Sequence, residues 1–263
     1  MKTIKSKDNG TYREVLRLTK KKYRDEKGLY LLEGIKPLKD ALQLGIGVRK
    51  IFVREGSDNK TDIFGRTACI LDRRLFDNIS STETSQGILA VVERKNYSAA
   101  DISKILAGNG KNIVVLDRLQ DPGNAGTIVR TAEAAGYAAV AVVPGTADIY
   151  SPKVVRAAAG SLFRMPIFFA ESEEDAIGIL KNMKKRIATT TLDTEFTYDK
   201  ADLTENIALV IGNEGRGVSE GFLNASDIKI KIPMAGSIES LNAAVAAGIL
   251  MYQSHKKTQN SER

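Results

Sequence analysis

The second part of this 263-residue chain alternates between short aliphatic runs and longer segments of helical character. The aliphatic runs cover residues 113–116, 139–143 and 207–211, and uninterrupted runs of this length are typical of strands buried on both faces. Another strand is predicted at 186–190. Parallel strands need long crossover connections, which are usually helices. The alternation therefore predicts an α/β fold, with a parallel sheet covered on both faces, for residues 112–263.

Helix signals lie between these runs. An alanine-rich segment over residues 124–135 ends at Gly136, and Ser151-Pro152 has the cap and first residue of another helix. Ser172 and three following acids begin a further helix, as the helix dipole favours. A strand is predicted at 167–169. Isoleucines 228, 230 and 232 alternate with lysines, which predicts a strand with one more hydrated face. The last helix is predicted from about 241 to 252.

The first 95 residues mix shorter helices and strands. Helices are predicted at 12–18 and 37–44, and strands at 29–33, 50–53 and 88–92. The boundary of this smaller α/β domain is expected where apolar periodicity weakens, between residues 93 and 111. The sequence thus predicts an N-terminal domain over 1–95, a linker over 96–111 and a larger domain over 112–263.

Positive charge is concentrated near the N-terminus. Residues 1–60 hold 16 Lys and Arg against 8 Asp and Glu, a net charge of 16 − 8 = +8. The remaining residues hold 23 against 24, a net charge of −1. A concentrated basic region is the expected footprint of phosphate-backbone binding, and a solvated surface is the alternative interpretation.

Several kinds of site and location are disfavoured by composition. One cysteine (Cys69) and one histidine (His255) cannot form a disulfide or a Cys-based metal site, and they make zinc chemistry and Cys–His catalysis improbable. No apolar core follows the charged N-terminus, and no uncharged apolar run is long enough for a membrane helix. We expect a cytoplasmic protein with no membrane contact and no metal.

Three loops carry the chemistry. They cover residues 121–130, 211–217 and 232–242, and each is rich in glycine and small polar residues beside a strand-like run. Ligands of a parallel sheet bind at the carboxyl ends of its strands, so these loops can form one site. Neither a dinucleotide-binding G-x-G-x-x-G nor a phosphate-binding loop is matched. Exposed backbone groups instead suit a flat ligand such as an adenine.

The three segments resemble, in order, the three motifs of the SpoU (TrmH-like) RNA methyltransferases of the SPOUT superfamily. The resemblance covers roughly residues 110–255, and the part from Tyr30 to Ala90 is similar to the substrate-binding domain of rRNA-modifying members. It implies an S-adenosylmethionine-dependent RNA 2′-O-ribose methyltransferase. It also implies a trefoil-knotted parallel sheet, and a homodimer with sites near the subunit interface.

The same resemblance implies roles for five polar residues. Arg130 is expected to anchor the RNA phosphate and polarise the 2′-hydroxyl, and Asn124 to position Arg130 or the ribose. Glu214 is expected to orient Arg130 or a substrate group by a charge-assisted hydrogen bond. Ser240 and Asn242 are expected to contact the ribose or the arginine. The alternatives are a surface charge for Arg130, a solvated loop residue for Glu214, and helix caps for Asn124 and Ser240.

The resemblance also implies cofactor contacts. Backbone groups of Gly212, Ile232 and Leu241 are expected to hold S-adenosylmethionine. Met234 is expected to be a further cofactor contact, and Thr191 and Leu192 are expected to border the adenine. Ile232 and Leu241 can also be core residues. The loop over 190–195 departs from several family members because it lacks basic and glycine residues.

Ribosomal RNA of the 23S type is the preferred substrate, by analogy with members that carry an extra N-terminal domain. The alternatives are a tRNA 2′-O-methyltransferase, a catalytically silent RNA-binding factor on the same fold, and an unrelated nucleotide-dependent α/β enzyme.

Overall fold

A computed structural model of the chain describes residues 3–57, 62–82, 84–108, 110–238 and 240–261, with side chains described up to Ser254. The described residues divide into two compact units. One contains residues up to 95 together with 148–163, and the other contains 96–147 together with the chain from 164 onward. No helix in these ranges is long and apolar enough to span a membrane.

Helices and strands are numbered in chain order. The helices are α1 (Gly10–Arg17), α2 (Lys21–Lys27), α3 (Ile35–Gln43), α4 (Arg73–Asp77), α5 (Ala99–Leu106), α6 (Pro122–Ala134), α7 (Pro152–Ala157), α8 (Glu173–Asn182), α9 (Glu220–Asn224) and α10 (Ala243–Ser261). The strands are β1 (Leu29–Glu33), β2 (Val48–Arg54), β3 (Asp62–Ile63), β4 (Arg66–Thr67), β5 (Cys69–Leu71), β6 (Ile88–Glu93), β7 (Ile113–Leu116), β8 (Ala139–Val142), β9 (Ile167–Phe169), β10 (Arg186–Thr190), β11 (Ile207–Ile211) and β12 (Ile228–Ile230).

The first unit is built on a mixed sheet with strand order β1-β6-β2-β5. Strand β6 runs antiparallel to β1 and β2, and β5 runs parallel to β2. Tyr12 and Val15 on α1 pack with Phe52 and Leu89 of the sheet in one core. The basic run after Lys20 forms helix α2. The helix ends at Gly28, because glycine readily adopts the left-handed conformation found there (φ 62°).

Residues 148–163 belong to the first unit, although they connect strands β8 and β9 of the second. The carboxylate of Asp148 accepts a hydrogen bond from the buried guanidinium of Arg24. The ring of Tyr150 lies 5.1 Å from that of Tyr30, and the Arg94 guanidinium lies 4.7 Å from the Tyr150 ring centroid. The sequence-based division had placed this segment, α7 included, in the larger domain.

The second unit confirms the predicted parallel α/β fold. Its strand order is β12-β10-β11-β7-β8-β9, and all neighbouring strands are parallel. Strands β7, β8 and β11 are buried along their whole length, as a sheet covered on both faces requires. The largest differences from the predicted boundaries are at the end of the chain: β12 ends at residue 230 rather than 232, and α10 covers 243–261 rather than about 241–252.

The segment predicted as a linker contains helix α5. Ser98 and Asp101 form a reciprocal capping box at its start, which is a sequence signature of a helix N-terminus. Ile102 and Leu106 on this helix are buried in the core of the second unit. Helix α5 therefore packs as part of the larger unit.

Candidate functional site at the carboxyl ends of the strands

The strand order brings the three loops to one edge of the sheet. Strand β11 lies between β10 and β7, and β12 lies on the other side of β10. Because these strands are parallel, the segments that follow their last residues all leave the sheet at the same edge.

The loop after β11 is a closed turn in which glycine is required. The amide of Asn213 donates to the carbonyl of Gly217, and the amide of Gly217 donates back to the carbonyl of Asn213, both at 2.9 Å. The Oδ1 of Asn213 also accepts hydrogen bonds from the amides of Gly215 and Arg216 at 3.0 Å. A Cβ on Gly212 would lie 2.3 Å from the backbone carbon of Gly217, so no other residue fits there.

One hydrogen-bond network joins all three predicted loops. The carboxylate of Glu214 accepts bonds from the amides of Gln120 and Asp121 and from Nδ2 of Asn124, each at 3.0 Å. The Oδ1 of Asn124 accepts a bond from Nδ2 of Asn242 at 2.9 Å. Three of the five residues predicted to act on the substrate are therefore in direct contact.

The network fixes the ionisation of Glu214. Partial burial alone would raise the pKa of this carboxyl, but the hydrogen bonds from the Gln120 amide, the Asn124 side chain and the Asp121 amide outweigh it. The net pKa lies below the usual value of a glutamate. Glu214 is therefore an anion at neutral pH, and its charge is directed into the protein's own donors.

The start of α10 is capped by Asn242 and not by Ser240, for which a cap was the alternative interpretation. The Oδ1 of Asn242 accepts bonds from the amides of Ala244 (2.9 Å) and Val245 (3.3 Å), so Asn242 provides the cap. Ser240 is exposed and makes no hydrogen bond to another described residue. Glu239, which belongs to the same motif, lies outside the described residues.

Arg130 lies apart from this network. It is an exposed residue on α6, six positions after Asn124, and its guanidinium forms no hydrogen bond or ion pair with the described residues. Glu214 makes no contact with Arg130 among the described residues, and its oxygens accept hydrogen bonds from Gln120, Asp121 and Asn124 instead. The guanidinium is therefore open to an external anion.

A buried acid that was not identified from the sequence links two of the loops that form the site. Asp117 directly follows β7, is completely buried, and accepts a 2.7 Å hydrogen bond from the amide of Ser219. Its other oxygen accepts a bond from the Nε of Arg118 (3.1 Å), and the Arg118 carbonyl accepts one from Nδ2 of Asn213 (2.9 Å). These bonds tie the loop after β7 to the loop after β11. An aspartate at the end of an aliphatic strand was the available signal.

The residues predicted to hold the cofactor follow three adjacent strands. Thr191 and Leu192 come after β10, Gly212 after β11, and Ile232 and Met234 after β12. Leu192 is 69% exposed, whereas Gly212 is buried. Leu241, which precedes α10, is half-buried. The exposed apolar side chain of Leu192 and the glycine backbone at Gly212, which follow neighbouring strands, suit a flat ligand with an apolar face.

Comparison with known proteins gives two family matches. The SpoU rRNA Methylase family matches residues 111–252. The MRM3-like substrate binding domain matches residues 9–90.

Full-length relatives are also similar. The 23S rRNA (guanosine(2553)-2′-O)-methyltransferase RlmP of Bacillus subtilis (strain 168) is 34% identical over 253 residues, covering 96% of this chain and 98% of its own. The AdoMet-bound rRNA methyltransferase from Sinorhizobium meliloti superposes with a TM-score of 0.84 at 29% identity, covering 97% of this chain and 98% of that one. The SpoU methyltransferase AviRb from Streptomyces viridochromogenes, in complex with AdoMet, gives a TM-score of 0.85 at 27% identity, covering 95% and 98%.

Proposed function

The chain belongs to the SpoU rRNA methylase family, and on that premise we propose that it methylates a ribose 2′-hydroxyl in 23S-type ribosomal RNA. It is an S-adenosylmethionine-dependent RNA methyltransferase, as the three-loop resemblance predicted. The observation that carries the proposal is the Glu214–Asn124–Asn242 network, which holds the three loops in one arrangement.

The loops fit S-adenosylmethionine. The position of Gly212 has no room for a Cβ, so only glycine lets the chain pass this close to the backbone of Gly217. In our proposal, backbone groups of Gly212, Ile232 and Leu241 hold the cofactor, and Met234, Thr191 and Leu192 border its adenine. When bound, the cofactor supplies a methyl group already activated as an electrophile, so the protein's task is to handle the nucleophile.

The protein's residues act on the ribose and its phosphate. Arg130 binds the phosphate beside the target ribose and polarises the 2′-hydroxyl as that oxygen gives up its proton to solvent water. Free arginine is a poor base, so we assign it charge stabilisation and positioning rather than proton removal. Asn124, Glu214 and Asn242 fix the loop geometry, and Ser240, exposed at the same loop, contacts the ribose. Correct orientation of the reacting atoms can lower such a barrier by up to about 7–11 kcal/mol.

A homodimer is part of the proposal. Arg130 is exposed on α6, the helix against which α10 packs, and α10 carries exposed Val245 and Tyr252. Pairing this face with a second copy would cover the apolar residues and bring Arg130 toward a cofactor site. The trefoil knot also stays a prediction. The non-sequential strand order, in which β11 enters between β10 and β7, supports it.

The preference for rRNA over tRNA rests on the first unit. Residues 9–90 match a substrate binding domain, and the first 60 residues carry the chain's excess positive charge. We propose that residues 1–95 bind the RNA, that 112–263 carry out the methyl transfer, and that 96–111 join them in a cytoplasmic enzyme. Because 148–163 packs within the first unit, deleting 1–95 would also uncover that segment.

Methyl transfer from tritium-labelled S-adenosylmethionine to unmodified 23S rRNA, with tRNA in parallel, tests the proposal. Arg130→Ala should lose methyl transfer by at least about a hundredfold while keeping its affinity for the cofactor, since its contacts form only with the RNA. Lys181→Ala removes an equal exposed charge from α8 and should behave like the wild type. Near-normal transfer by Arg130→Ala would disprove the role of Arg130, and labelling of tRNA alone would disprove the substrate.

A further inference from the structure

A cleft of about 250 Å³ lies within the first unit, and its lining contains no residue of the three loops. Leu31, Ile79 and Leu89 from the sheet side contribute apolar lining, and Pro152 and Val155 of α7 contribute more. Its volume corresponds to that of about eight liquid waters at ~30 Å³ each. A flat purine or pyrimidine ring is smaller than this volume, so the cleft has room for one.

One wall of the cleft is held rigid by a carboxylate. The Oε1 of Glu33 accepts bonds from the hydroxyls of Ser80 and Thr82 at 2.6 Å, and its Oε2 accepts bonds from the amide and hydroxyl of Ser81 at 3.2 Å. Burial would raise the pKa of Glu33, but the bonds from Ser80, Thr82, Ser85 and the Ser81 amide outweigh it and lower the pKa. The acid is therefore ionised and occupied by its own loop, so it disfavours a phosphate inside the cleft.

Positive charge lies at the same cleft. Arg156 on α7 contributes to its lining, is exposed, and donates to the carbonyl of Ser81 at 3.4 Å. Lys36 at the start of α3 is also exposed, next to the lining residue Pro37. A guanidinium is planar, so it can stack on a base or bind a phosphate in two-pronged fashion. Apolar lining, an ionised acid in the wall and a guanidinium together select a flat, uncharged ring attached to a phosphate.

We propose that this cleft binds one unpaired nucleobase of the RNA substrate, with Arg156 on the phosphate or ring face beside it. Sequence-specific RNA recognition generally uses unpaired bases that are splayed out and inserted between protein side chains. The inference rests on the proposed RNA substrate and adds where in the first unit a base is held. Because α7 lies in sequence between β8 and β9 of the methyltransferase sheet, base capture involves a segment of that sheet's own connection.

Two variants with matched controls test the cleft in the full-length protein. Thr84→Trp places a ring at an exposed position of the lining, and Thr67→Trp places the same ring on exposed β4, outside the lining. Arg156→Ala removes a charge at the cleft, and Lys153→Ala removes one from the same helix outside it. The probes are unmodified 23S rRNA and a short single-stranded RNA of mixed sequence, with thermal unfolding as the check on folding.

We expect Thr84→Trp and Arg156→Ala to weaken binding of both RNAs about tenfold or more, the effect typical of losing one stacked base. Thr67→Trp and Lys153→Ala should change it less than about threefold, and S-adenosylmethionine affinity should not change in any variant. Ultraviolet cross-linking of the wild type should join RNA to peptides from 79–89 or 152–159, and Thr84→Trp should remove that cross-link.

Equal RNA affinities for Thr84→Trp and Thr67→Trp would overturn the inference, as would cross-links only outside those peptides. Methyl transfer by the wild type is scored separately. A wild type that methylates 23S rRNA while the cleft variants bind normally disproves the cleft alone. A wild type that does not methylate 23S rRNA disproves the proposed function, and the single-stranded RNA still reports on the cleft.

Discussion

Replacing Asn124 with aspartate is the sharpest test of the network that joins the loops. The side chains have the same shape, but the substitution exchanges the Nδ2 donor, 3.0 Å from Glu214, for an oxygen. Loss of a hydrogen bond to a charged group costs roughly 1.5–3 kcal/mol. Two unit charges 3.0 Å apart add about 332/(80 × 3.0) ≈ 1.4 kcal/mol of repulsion with the dielectric constant of water, which suits the exposed Glu214.

The sum, roughly 3–4 kcal/mol, corresponds to a hundredfold to thousandfold loss of methyl transfer at neutral pH if the network sets the active loop arrangement. The direction in which the activity of Asn124→Asp changes with pH follows from the pKa of Glu214. In the wild type the pKa of Glu214 is lowered by its donors. In Asn124→Asp one donor is replaced by a like charge, so the pKa of the carboxyl pair rises. As the pH falls through that raised pKa, one shared proton restores the hydrogen bond.

The measurement is methyl incorporation into unmodified 23S rRNA from neutral to mildly acidic pH, expressed as the ratio of variant to wild type. This ratio cancels the common effect of pH on the ribose hydroxyl. It should rise toward acid for Asn124→Asp and stay flat for Asn124→Ala, which cannot regain the bond. A flat ratio for Asn124→Asp, with the fold intact by circular dichroism, would refute the reasoning.

Two further substitutions follow from close packing and buried charge. Gly212→Ala places a Cβ 2.3 Å from the backbone of Gly217; calorimetry should show S-adenosylmethionine affinity reduced by about two orders of magnitude or more, because the chain must shift at a rigid contact. Gly178→Ala, which meets nothing within 4 Å on helix α8, should bind normally, and normal binding by both would contradict the argument. Asp148→Ala leaves the guanidinium of Arg24 buried without its charge partner, which should cost about 3–5 kcal/mol in the free energy of unfolding and lower the melting temperature by roughly 10 °C. An Arg24→Met, Asp148→Leu double variant should recover most of that loss in thermal unfolding, and a loss equal to the sum of the single variants would count against a coupled pair.

Local sequence patterns determined much of the second unit. The predicted bounds of β7, β9, β10 and β11 match the structure. In β7 and β11 the reason is an aliphatic run of four or five residues, which has few alternatives to a buried strand. The glycine-rich loops could also be located from the sequence, because the need for glycine depends on the backbone conformation at each residue. Local signals were less complete where polar residues dominate. No helix was predicted for the basic run of α2, and the capped helix α5 lies in the segment that was predicted to be a linker.

The partners of the site residues were decided only by the tertiary structure. The family resemblance predicted that Glu214 orients Arg130 or a substrate group, and the fold brings it to Asn124 and two loop amides about 90 positions earlier in the chain. It also makes Asn242 both the cap of α10 and a partner of Asn124. Contacts between residues this far apart depend on strand order and loop path, which periodicity does not encode.

The sequence by itself determined a parallel sheet with three functional loops and a basic N-terminal part, because burial and turn conformation act on neighbouring residues. Only the tertiary structure decided that residues 148–163 pack in the first unit, with α7 beside β1, and that this segment, Arg156 included, lines a cleft. A connection between two strands can pack wherever its apolar and charged side chains find partners. Here Asp148 pairs with Arg24 and Tyr150 packs on Tyr30. These contacts join residues far apart in the sequence, so they form only when the chain folds.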